Sequence, residues 1–171
     1  MRARLLLMAA SGLLCFAFSN AMAGEAEARV KVLRDLARDV AAMRGWMAGS
    51  LPPVRVMLTR LCEGSLEPIW ETMLRELART DSFCKAWKAC ISAQRLETLK
   101  PLSEEEYRLV WEFGDIFGTT RDRNTQLGAM DDFLLRLRAC TEEARAQAMK
   151  KGRLYRSLGT LSGLALALAI C

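Results

Sequence analysis

Apolar residues in the middle of the chain recur every three or four positions, the spacing that places them on one face of a helix. The first such stretch runs from Glu25 to Ala48 and has its apolar stripe at Val30, Leu33, Leu36, Ala37, Val40 and Met43. The sequence GSLPP at residues 49–53 ends it, because glycine and proline disfavour continuation of a helix. No stretch alternates between apolar and polar residues as a half-buried strand does. The pattern therefore predicts an all-α fold.

Turn and capping residues divide the following sequence into three more predicted helices. The first of these spans Val54 to Glu63, and the next has Pro68 in its first turn and ends near Arg79. The third spans Phe83 to Leu99 and can be capped by the Thr-Asp-Ser sequence at residues 80–82.

A capping box begins the fifth predicted helix. Ser103 can accept a hydrogen bond from the amide of Glu106, whose carboxylate can reach back to the amide of Ser103. The helix is predicted to end just before Gly118, and we expect that glycine to adopt a left-handed conformation. A sixth helix is expected from Asp122 onward, capped by that residue or by Thr120.

The sixth predicted helix has the most regular apolar spacing in the chain. Its steps of three and four residues form a heptad seam at Leu127, Met130, Leu134, Leu137, Thr141, Ala144 and Ala148. The seam either packs against other helices of the same chain or forms the interface of a homo-oligomer. Small residues in its last third would stabilise an oligomer only weakly, which favours packing within the chain.

Both ends of the sequence are apolar and uncharged. No charged residue occurs from Leu5 to Gly24, and none from Ser157 to Cys171. A basic cluster precedes the second segment, at Lys150, Lys151, Arg153 and Arg156. Such cations remain with anionic headgroups while the apolar segment enters hydrocarbon. The sequence therefore predicts a membrane-anchored bundle of about five to six helices, with membrane segments at 1–24 and 154–171 and a helical soluble domain at 25–153.

The N-terminal segment has two interpretations. Arg2 and Arg4, the apolar run after them and the pattern Ala21-Met22-Ala23 fit a secretory signal peptide that is cleaved after Ala23. The alternative is a retained anchor, because about twenty residues at ~1.5 Å per residue are just enough to span the hydrocarbon. Positive residues lie at both ends of the soluble domain, directly after the first apolar segment and directly before the second. This pattern favours an anchor and a domain that faces the cytoplasm.

The positive net charge indicates membrane headgroups rather than nucleic acid as the anionic partner. The chain has 25 Lys and Arg residues against 20 Asp and Glu, a net charge of +5. These cations alternate with carboxylates through most of the middle and cluster clearly only beside the apolar ends. No interleaving of aromatic and basic residues and no groove-reading motif accompanies them.

No constellation of residues in the sequence predicts catalysis, a cofactor or a metal site. The chain has no histidine, which removes the commonest general base and the commonest neutral metal ligand. The spacings of Cys62, Cys84, Cys90 and Cys140 match no zinc motif. We expect small buried thiols in a reducing compartment, with two disulfides as the alternative. The four tryptophans fall on four predicted helices and are expected in the core.

Two segments carry a resemblance to a known family. FGDIFGTTRDRNTQ at residues 113–126 and KKGRLYRSLGTLSGLALAL at residues 150–168 resemble, in this order, the stage III sporulation protein AB family of endospore-forming bacteria. The resemblance covers almost the whole chain. It departs in the first half, where family members have an extended turn with Thr-Pro-Leu and this chain has SLPPV at residues 50–54.

The resemblance implies a non-enzymatic membrane assembly protein of the mother cell, within the channel apparatus that joins mother cell and forespore. Family members are similar to the helical domain of the inner-membrane platform protein of type II secretion and type IV pilus machines. By this analogy the chain would bind a secretion-type sporulation ATPase and the channel-ring proteins, with membrane lipids around its ends. The alternative is an exported helical module with a cleaved signal peptide and a C-terminal membrane anchor.

Asp122, Arg123 and Gln126 are the candidate partner contacts. They lie at the predicted junction between loop and sixth helix, where polar side chains can be displayed without disturbing the heptad seam. We expect charge reversal at Asp122 and Arg123 to weaken binding of the ATPase and to leave the fold nearly unchanged.

Overall fold

The computed structural model describes the backbone of residues 2–117 and 122–168 and the side chains of residues 24–117 and 122–150. The backbone in these ranges contains six α-helices and no β-strand, which confirms the all-α prediction. The helices are α1 Arg2–Ala48, α2 Val54–Leu61, α3 Glu67–Leu77, α4 Phe83–Ala93, α5 Glu104–Ile116 and α6 Arg123–Leu168.

The chain divides into two compact units. One is Arg29–Glu142, and the other combines Met1–Ala28 with Glu143–Cys171. The first helix starts at Arg2, so the start predicted at Glu25 is wrong. Within the described part, no helix is both long and apolar enough to cross a membrane. The expected membrane segments at 1–24 and 154–171 lie outside the residues whose side chains are described, with the exception of Gly24.

Capping residues begin α4 and α5 as the sequence predicts. The Ser82 hydroxyl accepts a hydrogen bond from the Lys85 amide at 3.4 Å. The Ser103 hydroxyl accepts from the Glu106 amide at 3.3 Å, and the Glu106 carboxylate accepts from the Ser103 amide at 2.8 Å. The prediction of a left-handed Gly118 lies outside the described residues.

The fourth helix ends at Ala93, so its predicted extension to Leu99 is wrong. Gln94 is buried, and its side-chain amide donates to the Pro68 carbonyl at 3.3 Å and the Thr72 hydroxyl at 3.1 Å. The chain then turns, and the amide of the fully buried Leu99 donates to the Gln94 carbonyl. Hydrogen bonds to residues of α3 therefore fix this end of α4. The spacing of apolar residues along the sequence does not predict such bonds.

Trp70 and Trp87 lie in the core of the Arg29–Glu142 unit with no exposed surface. Their ring centroids are 5.7 Å apart, and Trp87 meets the ring of Phe113 edge to face at 5.1 Å. The expectation that tryptophans form the core is confirmed for these two. Trp46 and Trp111 are only partly buried.

The heptad seam of α6 faces the core over the described part of the Arg29–Glu142 unit. Met130, Leu134 and Leu137 are buried, which confirms packing within the chain at these positions. Phe133 is buried as well, although the heptad pattern does not include it. The formation of a homo-oligomer stays a prediction.

Candidate functional site

Asp122 is the N-cap of α6, which confirms one of the two predicted caps. Its Oδ2 accepts hydrogen bonds from the Thr125 amide at 2.8 Å and from the Thr125 hydroxyl at 2.5 Å. These bonds lower the pKa of the Asp122 carboxyl below its usual value, the hydroxyl contributing most. The side chain is exposed, so it presents a negative charge to solvent at neutral pH.

Arg123 joins the start of α6 to the end of α1. Its guanidinium donates to the Ala48 carbonyl and, at 3.3 Å, to the Gly49 carbonyl. The last carbonyls of a helix have no partner within the helix and carry a partial negative charge. Arg123 therefore caps α1 while remaining exposed itself.

The turn after α1 and the first turn of α2 each expose one apolar side chain. Leu51 has φ 45°, and among the described residues it is the one non-glycine with a positive φ. Its amide donates to the Trp46 carbonyl at 3.0 Å, which fixes the turn. The Leu51 side chain is 56% exposed and that of Val56 is 41% exposed. A leucine in the left-handed region costs about 1–2 kcal/mol, and such strain is concentrated at functional sites.

We predict that Leu51→Gly stabilises the chain by about 0.5–1 kcal/mol, because relief of the left-handed strain exceeds the greater entropy of glycine in the unfolded state. Thermal denaturation of the full chain in detergent micelles, followed by circular dichroism, measures the change. Leu96→Gly is the matched control, since Leu96 is 83% exposed but has an ordinary φ. That variant should be slightly destabilised. A lower melting temperature for Leu51→Gly would contradict the prediction.

The bonds of Arg123 place the start of α6 beside the end of α1, so these exposed groups lie at one end of the helical unit. We call Leu51, Val56, Asp122 and Arg123 the turn–cap surface. Gln126 is partly buried, and its backbone N–H donates to the backbone carbonyl of Asp122 at 3.1 Å. Asp122 and Arg123 are therefore exposed on this surface, whereas Gln126 is only partly exposed.

Two apolar members of the turn–cap surface were missed in the sequence. Leu51 directly precedes the Pro-Pro pair and Val56 follows it by three residues; the pair indicates a turn but not which nearby side chains are exposed. The expectation that charge reversal at Asp122 and Arg123 leaves the fold nearly unchanged also needs correction. Reversal would remove a helix cap at each of these positions, because both side chains bond to a helix end.

Cys62, Cys84 and Cys90 show no sign of an activated nucleophile. The Cys84 thiol donates to Asp115 at 3.0 Å, and this bond raises the pKa of the thiol. Burial raises the pKa of Cys62 and raises that of Cys90 to about 12. Cys62, Cys84 and Cys90 are thiols rather than disulfides. No group of three or more Cys, Asp or Glu residues within the described part could hold a metal ion.

Comparison with known proteins identifies one family that matches nearly the whole chain and one solved structure that matches most of it. The model of the family described as Stage III sporulation protein AB matches residues 3–171. A solved structure entitled "Stage III sporulation protein AB (SpoIIIAB)" matches with a TM-score of 0.61 and 19% identity, over 71% of this chain and 97% of that one. At this identity the structural match shows a shared fold. A search of curated proteins gives no match.

Proposed function

Because the chain belongs to the stage III sporulation protein AB family, we propose that it is a non-enzymatic assembly protein that docks a secretion-type ATPase in the sporulation channel apparatus. The turn–cap surface carries the proposal: an exposed leucine held in a strained turn lies at the same end of the helical unit as an ionised aspartate. Apolar anchors beside charged groups are typical of protein interfaces. The ATPase as occupant rests on the analogy with secretion platforms.

The contacts of the turn–cap surface suit a rigid platform. Both charged members are held by bonds to helix ends, so little side-chain entropy would be lost when a partner binds. The backbone of Leu51 is held by the bond from its amide to the Trp46 carbonyl, and its side chain offers an apolar contact. A partner with an apolar pocket flanked by groups complementary to Asp122 and Arg123 would fit this arrangement.

We predict that Leu51→Asn weakens binding of the ATPase about tenfold, the loss of one buried leucine contact at an interface. Asparagine tolerates a positive φ, so the variant removes the apolar side chain without unfolding the turn. Asp122→Asn and Arg123→Gln remove the charges but keep a capping oxygen and an N–H donor, respectively. Each should weaken binding about twofold to fivefold.

Binding is measured between purified ATPase and the full chain in lipid nanodiscs, with melting temperatures recorded for every variant. Leu96→Asn serves as the matched control, since Leu96 is an exposed leucine outside the turn–cap surface. Its affinity should equal that of the unsubstituted chain. Unchanged affinity in a folded Leu51→Asn, Asp122→Asn double variant would remove this surface from the interface.

We further propose that the soluble domain, 25–153, faces the cytoplasm of the mother cell between membrane segments at 1–24 and 154–171. The proposal is supported by the positive-inside rule. Four cations follow the first apolar segment within the first turns of the domain, at Arg29, Lys31, Arg34 and Arg38. Four more precede the second apolar segment, at Lys150, Lys151, Arg153 and Arg156.

Labelling of cysteines by a membrane-impermeant maleimide tests this topology. Cys62 and Cys84 are partly exposed and serve as reporters, whereas Cys90 is fully buried. We predict that both reporters are protected in intact cells and are labelled after the membrane is permeabilised. The raised pKa of each thiol calls for mildly alkaline buffer. Labelling in intact cells would favour the exported module, which the pattern Ala21-Met22-Ala23 supports.

A further inference from the structure

A cleft opens between α1 and α6 within the Arg29–Glu142 unit, away from the turn–cap surface. The two helices are antiparallel here, since Arg44 of α1 bonds to Asp131 of α6 and Arg123 bonds to the end of α1. The cleft has a volume of about 250 Å³. Its partly buried lining residues are all small: Ala37, Ala41 and Thr141. From Ala48 to Arg38, α1 rises about 15 Å, which separates the cleft from the turn–cap surface.

The exposed residues of the cleft form a basic rim. Arg34 and Arg38 of α1 lie one helical turn apart, Arg138 of α6 is the third guanidinium, and Glu142 is the one carboxylate among the lining residues. The side chain of Arg34 is 67% exposed, and that of Arg38 is 54% exposed.

Buried carboxylates hold one of these arginines in place. Arg38 bonds to Asp39 at 3.1 Å and lies 3.4 Å from Asp35, and both aspartates are 4% exposed. These carboxylates offset the charge of Arg38. Arg34 approaches Asp35 only at 3.9 Å, so most of its N–H donors face solvent.

Arg138 is exposed as well, although its charge interacts with that of Asp131, which is already bonded to Arg44. Arg34 and Arg138 therefore present guanidinium donors at the two sides of the cleft.

We propose that this α1–α6 cleft binds an acidic helix of a protein partner. Small residues along the bottom of a groove between two helices allow a third helix to approach closely. Carboxylates on both flanks of that helix would meet Arg34 on one side and Arg138 on the other, each as a charge-assisted hydrogen bond. A membrane is less suitable as the occupant, because a layer of headgroups would contact the rim and leave the recessed alanines uncovered.

The probe is a fluorescent, alanine-rich peptide of about 18 residues, five helical turns, with glutamates on two flanks. Its anisotropy is measured with the full chain in zwitterionic nanodiscs. Binding should be saturable, should weaken with added salt, and should be absent for the same peptide with glutamine in place of glutamate. Arg34→Gln and Arg138→Gln should each weaken binding about threefold, and the double variant about tenfold.

Three further variants test whether the peptide binds at the cleft rather than elsewhere on the chain. Glu142→Gln should tighten binding about twofold by removing the repelling carboxylate. Arg108→Gln, which removes an exposed arginine of α5, and Leu51→Asn should each leave peptide binding unchanged. A negative result for peptide binding at the cleft is therefore distinguishable from a negative result for ATPase docking at the turn–cap surface.

Equal binding by the double variant or by the glutamine peptide would overturn the proposal. A lipid arm uses nanodiscs that contain phosphatidylglycerol. If these discs displace the peptide at the low salt concentration at which zwitterionic discs leave it bound, headgroups occupy the cleft and the proposal is wrong. If the peptide binds equally in both kinds of disc at that salt concentration, the protein helix is supported as the occupant.

Discussion

Replacing Arg29 with alanine is expected to destabilise the chain by about 2–3 kcal/mol. The Nε of Arg29 lies 2.8 and 3.0 Å from the two carboxylate oxygens of Glu106. The Glu106 side chain is only 3% exposed, so without the guanidinium a nearly buried carboxylate would lose its cation. Arg29 is itself 21% exposed, and solvent therefore reduces the loss below that of a fully buried pair.

Arg44→Ala is the matched control for this prediction. Arg44 also forms two hydrogen bonds to one carboxylate, that of Asp131, at 2.9 and 2.8 Å. The two side chains are 37% and 50% exposed, so the loss should be at most about 1 kcal/mol. Urea unfolding of both variants in detergent micelles, followed by tryptophan fluorescence, gives the comparison. Equal losses would contradict the assigned role of burial, and Arg29→Lys should recover part of the stability.

Local chemistry made much of the fold predictable from the sequence. The Ser103–Glu106 capping box and the Asp122 cap involve residues three positions apart, so their partners can be named without knowledge of the fold. The break at residues 49–53 is likewise local, and α1 ends at Ala48 as predicted. Helix starts were therefore placed to within about one residue wherever a cap or proline marks them.

The features that could not be predicted from the sequence depend on contacts between residues far apart in the chain. The pair Arg29 and Glu106 is separated by 77 positions, and no periodicity relates one to the other. Gln94 ends α4 through partners on α3 for the same reason. At the candidate site, Asp122 could be recognised as a cap, but the bonds of Arg123 to the end of α1 depend on how the helices pack.

The segment at residues 113–126 also contains a glycine whose role is a matter of packing. Gly114 lies in α5 against the buried Trp87, and a Cβ at this position would lie 2.7 Å from Cδ1 of that indole. The Trp87 ring has no space to retreat, because it packs on Trp70 and Phe113 and its N–H donates to the Val110 carbonyl at 2.8 Å. The sequence shows the glycine, but only the fold shows which ring requires it.

Gly114→Ala is therefore expected to destabilise the chain by about 1–2 kcal/mol, since overpacking of about 2–3 kcal/mol outweighs the gain in helix propensity of about 1 kcal/mol. Gly128→Ala is the matched control, because a Cβ at Gly128 in α6 would meet nothing within 4 Å. That variant gains helix propensity without a clash and should be stabilised by about 0.5–1 kcal/mol. Thermal denaturation of the two full-length variants should then shift in opposite directions, by roughly 2–4 °C per kcal/mol. Stabilisation of both would show that Trp87 can move aside and that Gly114 is not required by the packing of α4 on α5.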